Sequence, residues 1–419
     1  MKNLSSQEII ALEDKYGAHN YHPLPVVLAK GKGIHVWDVE GKSYLDFLSS
    51  YSAVNQGHCH PRIIKVMQEQ AETLTLTSRA FHNNILGVYA EYITSLLGFD
   101  KVLPMNTGVE GDETAFKLAR RWGYDVKGIE KNKAKVVVCT NNFMGRTIAA
   151  ISCSNDPSSY GGFGPYVPNI DHVPYNDTVA LEEKLQDKEV CAFFVEPIQG
   201  EAGVVVPDEG YLKKVRALCT KYNVLFVADE VQTGIARTGK MMACDYEEVK
   251  PDILILGKAL SGGTMPVSAV LANDDIMLVI KPGEHGSTFG GNPLACRVAI
   301  ESLKVTVEEK LAENAFAMGE IFRNELRNFK HPIVKTVRGK GLLNAVEIIT
   351  DDNQEHTWNN PGELAWNICL KMRDNGLLAK PTHGNIIRFA PPLIINEAQI
   401  LEATDIIKTS IEQTVGVTA

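Results

Sequence analysis

Apolar residues recur along the chain in two rhythms. From Pro61 to Asn223, stretches with helical spacing alternate with short, unbroken apolar runs. KVLPMN, KVVVCT and VCAFFVEP are runs of the second kind, and TGVEGDETAFKLARRWGY follows the first of them in helical rhythm. EGYLKKVRALCTKYN gathers Leu212, Val215, Leu218, Cys219 and Tyr222 on one helical face. VLFVAD, DILILGK and VSAVLAN continue the series of apolar runs beyond residue 223. Unbroken runs read as strands buried on both faces. Their alternation with helices predicts an α/β domain on a mostly parallel sheet flanked by helices.

The two ends of the chain read differently. Ser5 to about Tyr16 predicts a short amphipathic helix, and IHVWDVEGKSYLDFLSS alternates around Glu40-Gly41 as a hairpin would. Around residue 310 helical repeats give way to the strand-like IVKTVRGKGLLNAVEII and GNIIRFAPPLII. The closing EAQILEATDIIKTSIEQTV predicts a helix that Asn396 can cap. A smaller α+β domain follows, packed with the N-terminal hairpin. The expected division is an N-terminal segment over 1–51, a large cofactor-binding domain over 52–311 and a small domain over 312–419. No internal repeat or low-complexity segment interrupts the pattern.

Composition changes this picture little. With 419 residues, 44% hydrophobic and 22% charged, the chain reads as a globular protein long enough for two domains. A net charge of −9 and the lack of a basic cluster argue against a nucleic-acid partner. No apolar run approaches the roughly 20 residues of a membrane helix, so no membrane partner is expected. Eight scattered cysteines without a CxxC favour a reducing compartment. The first twenty residues lack an apolar core, and no arginine precedes Arg62, unlike a secretory signal or a transit peptide. A cytoplasmic protein is expected, or one of the mitochondrial matrix if a leader has been removed. GHCHP offers His58, Cys59 and His60 as ligands, but neighbours in extended chain point to opposite faces and no second cluster exists, so no metal is expected.

The chemistry gathers at strand ends. VLFVAD ends on Asp229 and DILILGK on Lys258, and the carboxyl ends of parallel strands open onto the ligand crevice. An edge ion pair and a nucleophilic lysine of lowered pKa are both compatible with that stretch. Thr107-Gly108-Val109 stands where a strand gives way to a helix, a place for an anion. Neither GxGxxG nor GxxxxGK[ST] occurs, which disfavours a dinucleotide or a P-loop nucleotide. Phe143 and Arg146 follow KVVVCT, one suited to stacking on a flat ring and the other to gripping a carboxylate. Glu201 lies in a glycine-rich loop after Glu196-Pro197, and Thr288 in GSTFGGNP marks a candidate second phosphate loop. One cofactor, pyridoxal phosphate, would use such a set: a lysine, an acid for the pyridine nitrogen, a stacking ring and an anchored phosphate.

Long blocks carry a resemblance: YGAHNYHPLPV, YSAVNQGHCHP, NTGVEGDETAFKLARRWGY, EPIQGEAGVVVP, LFVADEVQTG, ILGKALSGG, KPGEHGSTFGGNPLA, VRGKGLLNA and LLAKPTHGNIIRFAPPL. Nearly end to end, the chain resembles the class III (ω-amino acid) aminotransferases of the pyridoxal-phosphate fold type I superfamily. The resemblance implies that Lys258 is the Schiff-base lysine and proton-transfer base, and that Asp229 keeps the pyridine nitrogen protonated. It places Gln232 on the ring oxygen, Phe143 on the ring face, and the amides of Gly108 and Val109 on the phosphate. Thr288 would reach the phosphate of a neighbouring subunit, making a homodimer with shared sites.

The same resemblance implies two substrates. Tyr21 and Arg146 would hold the α-amino and α-carboxylate groups of L-ornithine, with Tyr51 at the same end, while the terminal amine reacts. The second substrate, 2-oxoglutarate or glutamate, needs an arginine beside the cofactor, Arg388, which Glu201 would mask during the ornithine half-reaction. The products would be glutamate-5-semialdehyde, which cyclises to pyrroline-5-carboxylate, and glutamate. An N-acetylornithine or 4-aminobutyrate donor, and more remotely an aminomutase, are the competing expectations. Thr264-Met265 and Phe289 depart from the bulkier pair and the tyrosine usual in the family, which bears on pocket shape.

Overall fold

A computed structural model describes residues 4–349 and 363–415. The N-terminal helix Ser6–Tyr16 opens with a capping box, in which the Ser5 hydroxyl and the Glu8 carboxylate each satisfy the other's backbone amide. Then come β1 (Leu28–Lys32), β2 (His35–Asp38) and β3 (Ser43–Asp46), the last two pairing antiparallel as the predicted hairpin.

The central sheet holds β4 (Lys101–Met105), β5 (Lys135–Cys139), β6 (Ile170–Val173), β7 (Val190–Val195), β8 (Leu225–Asp229), β9 (Ile253–Leu256) and β10 (Ser268–Ala272). Their order is β4-β10-β9-β8-β7-β5-β6. From β9 through β6 every pairing is parallel, and β10 alone runs against its neighbours β4 and β9. Every residue of β7, β8, β9 and β10 is buried. That is why these segments read as unbroken apolar runs: in β7, Phe193 faces one core and Phe194 the opposite one. The chain is thus an α/β fold, with a mixed rather than wholly parallel sheet.

Beyond residue 310 the helical rhythm persists for one more element, the helix Leu311–Asn328, whose Leu311, Ala315, Phe322 and Leu326 are buried at helical spacing. The smaller sheet follows, with β11 (Val334–Lys340), β12 (Leu343–Ile348), β14 (Lys380–Thr382) and β15 (Ile386–Phe389) in the order β11-β12-β15-β14. IVKTVRGKGLLNAVEII is therefore a hairpin rather than one strand. It turns through Gly341 at φ 53, where an added Cβ would lie 2.2 Å from the Thr238 carbonyl carbon. The short β13 (Leu377–Leu378) pairs in parallel with β3, tying the two ends of the chain together. Asn396 caps the last helix by accepting the Gln399 amide at 3.0 Å.

One buried side chain joins these parts. Arg237, fully enclosed, donates to Asn55 Oδ1 at 2.6 Å, to the Leu342 carbonyl at 2.9 Å and to the Pro391 carbonyl at 2.6 Å. His58 and His60 are engaged apart from each other, with Asp46 at 2.6 Å and Glu309 at 3.2 Å. Among the described residues no cluster of three metal-ligating side chains forms.

Candidate active site

The neighbouring strands β8 and β9 end side by side, with Asp229 opposite Ile255. Asp229 closes β8, and Lys258 comes two residues after β9 on a backbone held at φ 42. Both line a cavity of about 310 Å³ together with Gly108, Val109, Asp112, Phe143, Arg146, Glu196, Glu201 and Gln232. The size suits a cofactor-sized ligand. No ion pair joins the aspartate to the lysine; each feels the other's charge within the same cavity. Burial lowers the affinity of the Lys258 amine for its proton, Glu201 and Asp229 pull the other way, and the net direction is down. Burial also raises the Asp229 carboxyl, against the Val231 amide it accepts at 3.0 Å.

The anion end is built by the helix Gly108–Asp125. Thr107 caps it and Glu110 returns the bond, leaving the amides of Gly108 and Val109 without intrahelical acceptors. Glycine at 108 has a packing reason as well: an added Cβ would meet Val231 Cγ1 at 2.9 Å. Phe143 is fixed through its own amide, which donates to Glu196 at 3.0 Å, while the Gly200 amide reaches the same carboxyl group at 3.3 Å. Glu196 thus fastens two loops to one wall, a role the sequence did not reveal.

Arg388, on β15, meets Glu201 across the cavity floor. Its Nη1 donates to Glu201 Oε1 at 2.7 Å, and the Gln232 amide donates to the same oxygen at 2.9 Å. Burial would raise the Glu201 carboxyl, but Arg388, Lys258 and these bonds outweigh it, and the group is held below the usual carboxylate range. Glu201 Oε2 and Arg388 Nε, both buried, have no hydrogen-bond partner. The pair is therefore only half satisfied, with capacity for another charged group. Arg388 also stacks over Tyr51 at 5.1 Å.

Arg146 sits at a boundary. It lines the inner cavity and a second one of about 490 Å³ shared with Asn20, Tyr21, Ser159 and Phe163. Its Nη1 donates to Ser159 Oγ at 2.8 Å and its guanidinium lies 5.4 Å from the Phe143 ring centre. Tyr21 is 63% exposed and belongs to the outer cavity. Tyr51 stands beside Arg388, with Tyr21 near enough to act on its hydroxyl. Thr288 is exposed and is not a lining residue of the inner cavity. Thr264 and Met265 border Lys258 from the other side, and Phe289 is exposed. Sequence reading missed Asp112, though its spacing to Ala115, Phe116 and Ala119 sets it on the buried stripe of its helix.

This arrangement fits pyridoxal phosphate. A buried lysine of lowered basicity stands near a buried acid. Amides of a helix start lie close by, and Glu201 Oε2 and Asp112 Oδ1 are buried polar atoms without partners.

Comparison with known proteins agrees. The family model "Aminotransferase class-III" matches residues 16–411, and the chain belongs to that family of pyridoxal-phosphate-dependent aminotransferases. More particularly, it is 65% identical to the mitochondrial ornithine aminotransferase of Drosophila melanogaster over 406 residues, 97% of this chain and 92% of that one. The structure of the ornithine aminotransferase from Toxoplasma gondii, described with partial occupancy of PLP at its active site, superposes with a TM-score of 0.94. It is 48% identical over 99% of this chain and 95% of that one. The acetylornithine aminotransferase of Elizabethkingia anophelis is 58% identical over 98% of this chain and 100% of that one, with a TM-score of 0.88.

Proposed function

We propose that the protein is an ornithine δ-aminotransferase, moving the terminal amino group of L-ornithine to 2-oxoglutarate to give glutamate-5-semialdehyde and glutamate. The observation that carries this reading is the half-satisfied Arg388–Glu201 pair beside Lys258. When bound, pyridoxal phosphate supplies the aldehyde that takes the amine and the ring that takes up the electron pair of the broken C–H bond.

The protein's own groups do the rest. Lys258 would hold the cofactor, and its Nζ, of lowered basicity, would take the proton from the amine-bearing substrate carbon and pass it to the cofactor's aldehyde carbon. Asp229 would accept a hydrogen bond from the ring nitrogen and keep it protonated, Phe143 cover the ring, Gln232 meet the ring oxygen, and the amides of Gly108 and Val109 bind the phosphate. Arg146 and Tyr21 would hold the α-carboxylate and α-amino groups of ornithine, with Tyr51 beside them, while Glu201 masks Arg388. For glutamate the α-carboxylate takes Arg388 in Glu201's place, since an arginine unpaired in a dry pocket is costly. Thr288, exposed on its own chain, is assigned to the phosphate site of a second copy in a homodimer. No described helix is long and apolar enough to cross a membrane. The free cysteines accord with a reducing compartment, cytoplasm or mitochondrial matrix.

The likeness to an acetylornithine aminotransferase keeps N-acetylornithine as the second reading. Steady-state kinetics on ornithine, N-acetylornithine and 4-aminobutyrate with 2-oxoglutarate separates them. Ornithine is expected to lead by at least tenfold in kcat/KM, about 1.4 kcal/mol, because a free α-amino group needs a polar partner. Equal efficiency for all three sinks the assignment. In Glu201→Ala, glutamate should gain on ornithine as amino donor by about tenfold, and an unchanged ratio speaks against the switch.

A further inference from the structure

The cavity around Lys258 holds four buried carboxyl groups, and three have visible work. Glu201 pairs with Arg388, Glu196 fastens the Phe143 and Gly200 amides, and Asp229 closes β8. Asp112 has none of these. It is 3% exposed, one turn into the helix Gly108–Asp125, with Oδ1 lacking any hydrogen-bond partner. It lines the same cavity as Asp229, on a helix that packs against the strand Asp229 closes.

Two neighbouring carboxylates buried in one dry cavity do not readily both ionise, which favours a pair that retains a proton. The surroundings decide which member keeps it. Burial raises the Asp112 carboxyl well above its ordinary value, the charges of Asp229, Glu196 and Glu113 raise it further, and Lys258 alone opposes. Burial raises Asp229 too, to about 6, but there the Val231 amide, Lys258 and Asp112 itself pull the other way.

We propose that Asp112, as a neutral acid, donates a hydrogen bond to Asp229 and keeps that carboxylate ionised and aimed at the ring nitrogen of the bound cofactor. Asp112 is thus a positioning residue acting through Asp229, and the inference rests on the pyridoxal-phosphate reading above. Its proton stays in place during turnover. A neutral donor orients the carboxylate without cancelling the charge on which a protonated ring nitrogen depends, as a lysine there would.

The test compares wild type, Asp112→Asn and Asp112→Val as holoenzymes and as apoproteins. Asparagine supplies a neutral N–H donor of the same size, and valine supplies none. Asp112→Asn should bind pyridoxal phosphate, followed by quenching of protein fluorescence, within about threefold of wild type and keep the pH titration of its visible absorption. Asp112→Val should bind about tenfold more weakly and shift that titration. A third readout needs no cofactor. A carboxyl raised by folding makes apoprotein stability fall as pH climbs from the ordinary carboxylate range towards neutrality, so that fall should shrink in Asp112→Asn.

If Asp112→Val matches wild type in affinity and spectrum, Asp112 is filler and the proposal fails. If Asp112→Asn behaves like Asp112→Val, the residue acts as an anion, and the proposal fails in a different way. Asp112→Ala replaces the valine variant should that one not fold. Wild type that gains no visible absorption with pyridoxal phosphate would overturn the cofactor reading itself, a result separate from any difference among the variants.

Discussion

A lysine enclosed among carboxylates carries a stability cost that its chemistry requires. Burial outweighs the attraction of Glu201 and Asp229, and the folded-state pKa of Lys258 lies below the ordinary lysine value of 10.5. The unfolded chain then binds more protons than the native one across the window between those two values, so stability rises with pH there. The cost is fully present below the window and gone above 10.5. Lys258→Met should therefore stabilise the apoprotein by about 1 kcal/mol at neutral pH, a gain that fades as pH rises past 10. Thermal denaturation of the two apoproteins across that range checks it; a gain that grows with pH would contradict the assigned environment. The same variant should lose the visible absorption of the lysine-bound cofactor.

The element that delivers Tyr51 is unusual. Ser49, Ser50, Tyr51 and Ser52 have φ of 47, 48, 60 and 73, four successive residues in left-handed conformation. Each costs roughly 1–2 kcal/mol for a residue with a side chain. Asp46 holds the turn in place by accepting the Leu48 and Ser49 amides, both at 2.9 Å, and the Ala53 amide closes onto the Ser49 carbonyl at 2.8 Å. Glycine at the exposed Ser50 removes one such penalty, so Ser50→Gly should leave the melting temperature unchanged or raise stability by up to about 1 kcal/mol. In a right-handed helix the same change would cost about that much, and a fall of that size would argue against the left-handed turn. Nothing in SSYS announces this geometry, because it contains neither glycine nor asparagine. The strands β7 to β10, by contrast, were legible from apolar runs alone, since burial on both faces leaves no polar position apart from Asp229 and Ser268 at strand ends. The reversed direction of β10 was not legible: VSAVLAN carries no mark of which way its neighbours run.

At the scale of the whole chain, what sequence could not convey is distance between remote segments. Arg237 looks like one charged residue in a polar loop, yet it connects Asn55, Leu342 and Pro391, three segments far apart along the chain. Burial pushes its guanidinium down to about 9, with Asp46 opposing. Replacing it with leucine orphans two carbonyls and the Asn55 Oδ1, a loss of about 3 kcal/mol or more. Arg237→Leu should melt several degrees lower and release the smaller sheet to limited proteolysis before the seven-stranded one. Simultaneous cleavage throughout would mean the joint lies elsewhere. The site was legible in part for the same reason: Lys258 and Asp229 end adjacent apolar runs, whereas Asp112 gains meaning only beside a strand more than a hundred residues away.

The position of Arg146 on the wall between the inner and outer cavities has one more consequence. On the roles proposed above, with the donor's reacting amine at Lys258 and its α-carboxylate at that guanidinium, the site would work as a ruler. A diamino acid shorter than ornithine reaches the lysine only by leaving its carboxylate short of the arginine, and forfeits a charged hydrogen bond of roughly 1.5–3 kcal/mol. A longer one would have to bend to keep both ends in place. Selectivity for ornithine is on this view a matter of span as much as of recognition, measured between two side chains that the fold keeps still.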